Sequence, residues 1–382
     1  ATSADQLPHQ LAAWQLFGHQ ALFPIPDVDR TDYFLIIGGN PLASNGSIMT
    51  VPDVKGRLKA LQKRGGRVVV IDPRRTETAK VADEHHFVRP GTDVYLLLAI
   101  VQVLFEELLV APGQLDKILD GKKDLARLVA NWQPEKVADT VGLPADAIRK
   151  LARDIAAAPR AAIYSRVGVT TSAHSTLSAW LVYVINILTG NLDREGGVMF
   201  TKPAFDIVAI GALSGDTGSF DRYRSRVHGY PEFGGEFPVT TLADEMLTPG
   251  KGQVKAFVSH AGNPVLSCPD GQKLDEALSN LDFMVSIDFY INETTRHADI
   301  ILPPTGQLEH AQFDPIFQAV AVRNVVKFTP PLVPKPEGTL HDWEILNGLT
   351  TRLNRLRARD RKTRLQIAAT DRFVRKLGDR GL

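Results

Sequence analysis

A single cysteine, Cys268, is present among 382 residues. No disulfide can form within the chain, and a four-cysteine zinc or iron–sulfur site cannot be built from one thiol. Cys268 stands between Ser267 and Pro269 and reads as a small packing residue at a helix start. No apolar run approaches the roughly 20 residues that span a bilayer. A charge excess is also missing: Lys plus Arg is 44 against 43 for Asp plus Glu, so no global field draws in nucleic acid or an anionic membrane. No basic leader with an apolar core opens the chain, so no signal peptide is visible. The patterns G-x-G-x-x-G and G-x-x-x-x-G-K-S/T, which mark dinucleotide and P-loop sites, are absent as well.

What is present is a pair of apolar runs that each end in a polar turn. Tyr33-Phe34-Leu35-Ile36-Ile37 leads into Gly38-Gly39-Asn40-Pro41, and Val68-Val69-Val70-Ile71 leads into Asp72-Pro73-Arg74-Arg75 and Thr76-Glu77-Thr78-Ala79. Such runs read as buried strands of a parallel sheet. Between them, residues 53–64 carry Val54, Leu58 and Leu61 at helical spacing, which makes one βαβ unit. Ligands of these sheets bind outside the carboxyl ends of the strands. Gly38 and Gly39 permit close backbone approach, Asn40 tolerates a left-handed conformation while offering an amide, and Asp72 is placed to accept ribose hydroxyls. On these residues alone, ordinary turns with Asp72 capping a helix near Thr76 are an equal alternative.

Farther along, residues 82–88 predict a third strand. Its His85-His86 pair points to opposite faces and does not chelate one ion. Thr92 or Asp93 is placed to cap an apolar helix over residues 94–107. Residues 110–154 read as packing helices, residues 161–164 as a strand ending in Arg166-Val167-Gly168, and residues 175–188 as a buried helix with Gly190-Asn191 as its C-cap. His9 and His19 beside the helix at residues 11–17 read as structural. Residues 201–238 show no periodicity. There Arg222, Arg224 and Arg226, with His228 and Tyr230, either face a ligand or are simply solvated.

A strand at residues 254–259, Ala261-Gly262-Asn263-Pro264, a helix at 270–278, a strand at 283–287 and Asp288 then repeat the order of residues 33–72. Residues 300–302 predict a last strand, and Glu309-His310 reads as a structural pair. A proline-rich linker precedes a helix over residues 341–356 and a basic tail.

These segments resemble, in order, the molybdopterin oxidoreductases of the dimethyl-sulfoxide-reductase superfamily, which includes formate dehydrogenases and nitrate reductases. The resemblance rests on Gly39-Asn40-Pro41, on Asp72 to Ala79, and on Arg89-Pro90-Gly91-Thr92-Asp93. It continues through Leu188-Thr189-Gly190-Asn191-Leu192 with Gly196-Gly197, Ala261-Gly262-Asn263-Pro264, and Asp288 to Thr294 followed by Ala298 to Pro303. It covers nearly the whole chain.

The resemblance implies an α/β protein of two Rossmann-like domains with parallel sheets flanked by helices. Residues 1–200 and 201–340 would each bind one molybdopterin guanine dinucleotide, and residues 341–382 would form a C-terminal helix and basic tail. The implied cofactor is bis(molybdopterin guanine dinucleotide) with molybdenum or tungsten, serving two-electron chemistry on a small-molecule substrate. Asp72 and Asp288 would fix the guanosines and Asp93 would recognise guanine. Gly39, Asn40, Pro41, Val167, Gly168, Gly262 and Asn263 would line the backbone approach. Arg74, Thr76, Glu77 and Gly91 belong to the same motifs, and Asn292 and Thr294 would support the turn after Asp288.

No catalytic residue or metal ligand is assigned within the chain. A four-iron four-sulfur cluster is expected only outside it, because the polar opening Ala1-Thr2-Ser3-Ala4-Asp5-Gln6 resembles the segment just behind the family's metal-ligand position. An electron-transfer partner, no nucleic acid, no membrane insertion and a cytoplasmic site, with the periplasm left open, complete the expectation. The arginine-glycine-glutamine-asparagine segment of many formate dehydrogenases is missing, which weakens formate as substrate. An inert scaffold that keeps the fold, or an ordinary nucleotide-dependent dehydrogenase, are the alternatives.

Overall fold

β-Branched and aromatic side chains favour a pleated, buried backbone, and they form Tyr33–Ile37 (β1) and Arg67–Ile71 (β2). In the computed structural model residues 5–358 and 360–378 are described, so the opening Ala1-Thr2-Ser3-Ala4 and parts of the basic tail lie outside the description. The chain divides into two compact units. The first comprises Ala1–Phe220, Phe233–Glu236 and Pro315–Val326, and the second comprises Asp221–Glu232, Phe237–Asp314 and Lys327–Leu382.

In the first unit, Val54–Lys63 (α1) links β1 to β2, and Glu77–Val81 (α2) precedes the short strand Glu84–His86 (β3). Asp93–Glu106 (α3) and Ala145–Ala157 (α4) lead to Ala161–Ser165 (β4), which is followed by Ser175–Leu188 (α5). The four strands are parallel in the order β3-β2-β1-β4. Alternate residues of the strands feed opposite faces. Leu35, Ile37, Val69 and Ile71 pack with Leu97, Ile100 and Leu104 of α3, Ile148 and Leu151 of α4, and Leu181 and Ile185 of α5. Phe34, Ile36, Val68 and Val70 pack with Val54, Leu58 and Leu61 of α1. Both faces of the sheet are covered, which is why these strands read as continuous apolar runs.

Residues 201–238 are not structureless. Ile207–Ser214 (α6) lies there, with Asp206 Oδ1 accepting from Ala209 N at 2.9 Å, followed by strands Phe220–Arg224 and Pro231–Phe233. The helix IVAIGALS is apolar nearly all round and Phe220–Arg224 is exposed throughout, so neither carries a period of 3.6 or 2.

In the second unit, Leu242–Leu247 (α7) precedes Ala256–His260 (β5), Gly271–Ser279 (α8), Phe283–Ile287 (β6) and Ile300–Ile301 (β7). The strands are parallel in the order β7-β6-β5. Ala243, Met246, Leu274, Ala277, Leu278 and Met284 form its core, and Cys268 packs at the edge of that core. Cys268 follows the short helix Pro264–Ser267 as its C-cap instead of starting a helix.

Candidate functional site

Because the first unit's strands run parallel, their carboxyl ends collect at one edge. The chain steps outward from β1 through β2 to β3, then crosses to place β4 on the other side of β1, so the turns after β1 and β4 diverge at a switch of direction. At that point Gly168 N donates to Gly38 O at 2.9 Å. Gly38 has φ +57°, and a Cβ on it would lie 2.8 Å from Val169 N; one on Gly168 would lie 2.7 Å from Gly38 Cα. Glycine is required at both positions. Gly39, Asn40 and Val167 line an opening there together with Asp5, Ser47 and Arg166.

Asn40 differs from the expectation. Its φ is −128°, not left-handed, and its side chain is used within the protein. Oδ1 accepts from Thr78 N at 3.1 Å and Thr78 Oγ1 at 2.8 Å, while Nδ2 donates to Glu77 Oε2 at 2.6 Å. Thr78 Oγ1 in turn accepts from Leu42 N. Asn40, Glu77 and Thr78 thus clasp the turn after β1 to the start of α2, because Pro41 directs the backbone into a helix and leaves the amide facing α2. The exposed Glu77 is held below the usual carboxylate range by its own amide and the Asn40 amide. Thr76 caps α2 by accepting from Ala79 N at 3.1 Å. Arg74 is exposed, 3.7 Å from Glu77.

Asp72 accepts from Arg74 N at 2.8 Å through Oδ1, so it shapes its own turn and does not cap the helix at Thr76. Its Oδ2 has no hydrogen bond among the described residues. Gly91, with φ +78°, turns the chain toward Asp93. Neither Thr92 nor Asp93 caps α3 with its side chain: the Thr92 hydroxyl donates to Arg89 O, and Asp93 is the first helical residue. Burial lifts the Asp93 carboxyl to about 6, opposed by its own amide and aided by the negative charge of Asp72.

The second unit repeats this wiring. Ala261 has φ +50° where Gly38 stands in the first. Asn263 Nδ2 donates to Glu293 Oε2 at 2.7 Å, Asn263 Oδ1 accepts from Thr294 Oγ1 at 2.7 Å, and Thr294 Oγ1 accepts from Val265 N. Asp288 Oδ1 accepts from Phe289 N and Tyr290 N, leaving Oδ2 without a partner among the described residues. Asn292 Oδ1 accepts from the amides of Thr294 and Thr295. A Cβ on Gly262 would have open space around it apart from His260 O at 3.7 Å, so that backbone is approachable.

Thr78, Glu293 and Arg166 went unassigned at the sequence level. The paired Asn-Pro and Glu-Thr dipeptides were the signal for the first two, and a charge at the end of an all-apolar strand was the signal for Arg166. Other candidates have structural partners. His9 Nε2 lies 3.1 Å from Ser165 Oγ, and burial with the nearby Arg166 charge pushes His9 down to about 3. His85 contacts Asp72 O and His86 lies 3.4 Å from Glu84. Arg222, Arg224 and Arg226 pair with Glu232, Asp221 and Glu245. Glu309 accepts from Gly306 N, and His310 contacts Gln312. Among the described residues no cluster of His, Cys, Asp and Glu could hold a metal ion, and no helix is long and apolar enough to cross a membrane.

The family model described as molybdopterin oxidoreductase matches residues 2–352. The alpha subunit of a formate dehydrogenase from Methanocaldococcus jannaschii is 28% identical over 86% of this chain and 48% of its own length. Formate dehydrogenase H of Escherichia coli is 27% identical over 86% and 46%. The dimethyl sulfoxide/trimethylamine N-oxide reductase of Cereibacter sphaeroides is 27% identical over 93% and 46%. The chain therefore spans about half the length of these curated relatives. Acetylene hydratase from Pelobacter acetylenicus superposes with a TM-score of 0.74 at 22% identity, covering 92% of this chain and 50% of that one, a likeness of fold.

Proposed function

Since this chain belongs to the molybdopterin oxidoreductase family, we propose that its two parallel sheets are Rossmann-like domains that each bind one molybdopterin guanine dinucleotide of a molybdenum or tungsten centre. The observation that carries this reading is the repeated wiring after the strands: each unit holds one Asp oxygen on its own turn and leaves the other open, beside an asparagine clasp that keeps the neighbouring turn in place. Asp72 and Asp288 would accept the ribose hydroxyls of the guanosines. Gly39, Gly168 and Gly262 would let the backbone approach the dinucleotides. Asn40 and Asn263 position those turns without touching the ligand through their side chains. Asp93 would take the paired donors of a guanine edge, its carboxyl meeting no side chain of another residue in a hydrogen bond or ion pair among the described residues.

When bound, the cofactor supplies two-electron redox chemistry on a small-molecule substrate. The chain's share is binding and orientation. The electrons would pass to a partner subunit or protein, in the cytoplasm on the reading from the sequence.

Elemental analysis for molybdenum, tungsten and iron, paired with guanine-nucleotide release, tests the reading on the full-length gene product purified anaerobically. The expected result is two guanine nucleotides released per molybdenum or tungsten. Neither metal nor nucleotide, from a host that makes the cofactor, would leave a scaffold that keeps the fold without the chemistry.

A further inference from the structure

Beside the strand-end opening, the first unit holds a partly open chamber of about 290 Å³. Phe23, Ile48, Ile207, Val208 and Val320 make its apolar wall, and Arg166, Asp5 and Asp206 bring charge to it. Arg166 is the unusual member. Its side chain is 6% exposed, Nη2 donates to Asp5 Oδ1 at 2.9 Å, and the buried Nη1 has no acceptor among the described residues. A guanidinium keeps its charge in proteins, and a buried donor on it left without an acceptor is costly.

We propose that this chamber binds a small organic carboxylate, with one oxygen on Arg166 Nη1 and the alkyl part against Phe23, Ile48 and Val320. The two carboxylates present do not fill that role. Asp206 is turned to Ala209 N as the cap of α6, and Asp5 is 46% exposed and uses only Nη2. At about 30 Å³ per water, the volume takes on the order of ten water-sized groups, so a bare inorganic oxyanion would leave the apolar wall wet. Arg166, Asp5 and Ser47 also line the opening beside Gly39 and Asn40. The inference rests on the cofactor reading only for the occupant's role as substrate; binding itself needs no cofactor.

Calorimetric titration of the cofactor-free full chain with butyrate and with its neutral isostere butyramide tests this directly. Butyrate binds about tenfold or more tighter than butyramide, the scale of one charge-assisted hydrogen bond. Arg166→Gln brings butyrate down to the amide's affinity, and Arg166→Lys keeps part of the difference. Asp5→Asn strengthens butyrate binding by removing a like charge, which keeps the test decisive if the Arg166 variants do not fold by circular dichroism. Equal affinities for the two probes, unchanged butyrate binding in Arg166→Gln, or no butyrate heat because water alone fills the chamber would each overturn the proposal. So would a cofactor-loaded Arg166→Gln that loses its dinucleotide while the wild type ignores butyrate, since Arg166 would then serve the cofactor's phosphates. Butyrate binding in a chain whose loaded form releases no guanine nucleotide would keep the chamber and remove the cofactor reading; the reverse result would do the opposite.

Discussion

Asp93 and His9 are both buried, and burial disfavours the charged form of each. The consequences for stability have opposite signs. Asp93 ionises near 3.8 when unfolded and near 6 when folded, so the folded chain holds its proton longer, and stability falls as pH rises from about 4 to about 6. His9 protonates near 6.5 when unfolded but only near 3 in the fold, so stability is lost as pH falls from about 6.5 toward 3. Between pH 4 and 6 the two slopes oppose each other. Asp93→Asn removes one of them. Its unfolding free energy from urea titration should exceed the wild type's above pH 6 by about 2 kcal/mol, after allowing for the lost first-turn charge, and its midpoint should rise accordingly. Below pH 6 its stability should decline toward acid more steeply than the wild type's. A midpoint at neutral pH equal to or below the wild type's would show that the carboxyl has a partner in solution.

At the scale of the element, each clasp joins a strand-end turn to the segment that follows the next strand. Thr78 is fully buried, and its hydroxyl both donates to Asn40 and accepts from Leu42 N. Thr78→Val should therefore cost about 2 kcal/mol in chemical denaturation, because Asn40 Oδ1 loses a donor and the partly buried Leu42 amide loses its acceptor. Thr294→Val should cost a similar amount in the second unit, where the same bonds recur. A much smaller loss in either would mean that water replaces the hydroxyl. Gly168→Ala tests the contact between the turns after β1 and β4: its Cβ would meet Gly38 Cα at 2.7 Å and Gly38 O at 2.9 Å. Both neighbours are backbone and cannot move aside alone. The variant should lower thermal stability and weaken dinucleotide retention together, whereas a loss of stability with full retention would place the ligand elsewhere. The strands themselves were legible at this scale, since β1 and β6 have the bounds that their apolar runs predict, while α6 was not, because a helix apolar nearly all round has no moment to read.

Across the whole molecule, the two units carry one proposed dinucleotide each, so their losses should add. Asp72→Asn and Asp288→Asn should each halve the guanine nucleotide released per protein, and the double variant should release almost none. Full release from the double variant would show that the open carboxylate oxygens do not hold the guanosines.

Local pattern was enough for the parallel sheets, the helices that cover them and the repeated order of Gly-Asn-Pro turn and strand-end Asp, because a run such as Val68 to Ile71 is apolar on both faces only if both faces are buried. The partners of the polar side chains were another matter. Asn40 reaches a threonine 38 residues on, and Arg166 reaches an aspartate 161 residues back. Whether an asparagine amide is offered to a ligand or spent on a clasp, and whether a guanidinium is solvated or sealed beside a chamber with one donor free, depends on which distant segments arrive next to it. Hydrophobic periodicity records which face of an element is buried but not against what, so only the assembled fold settled those pairings.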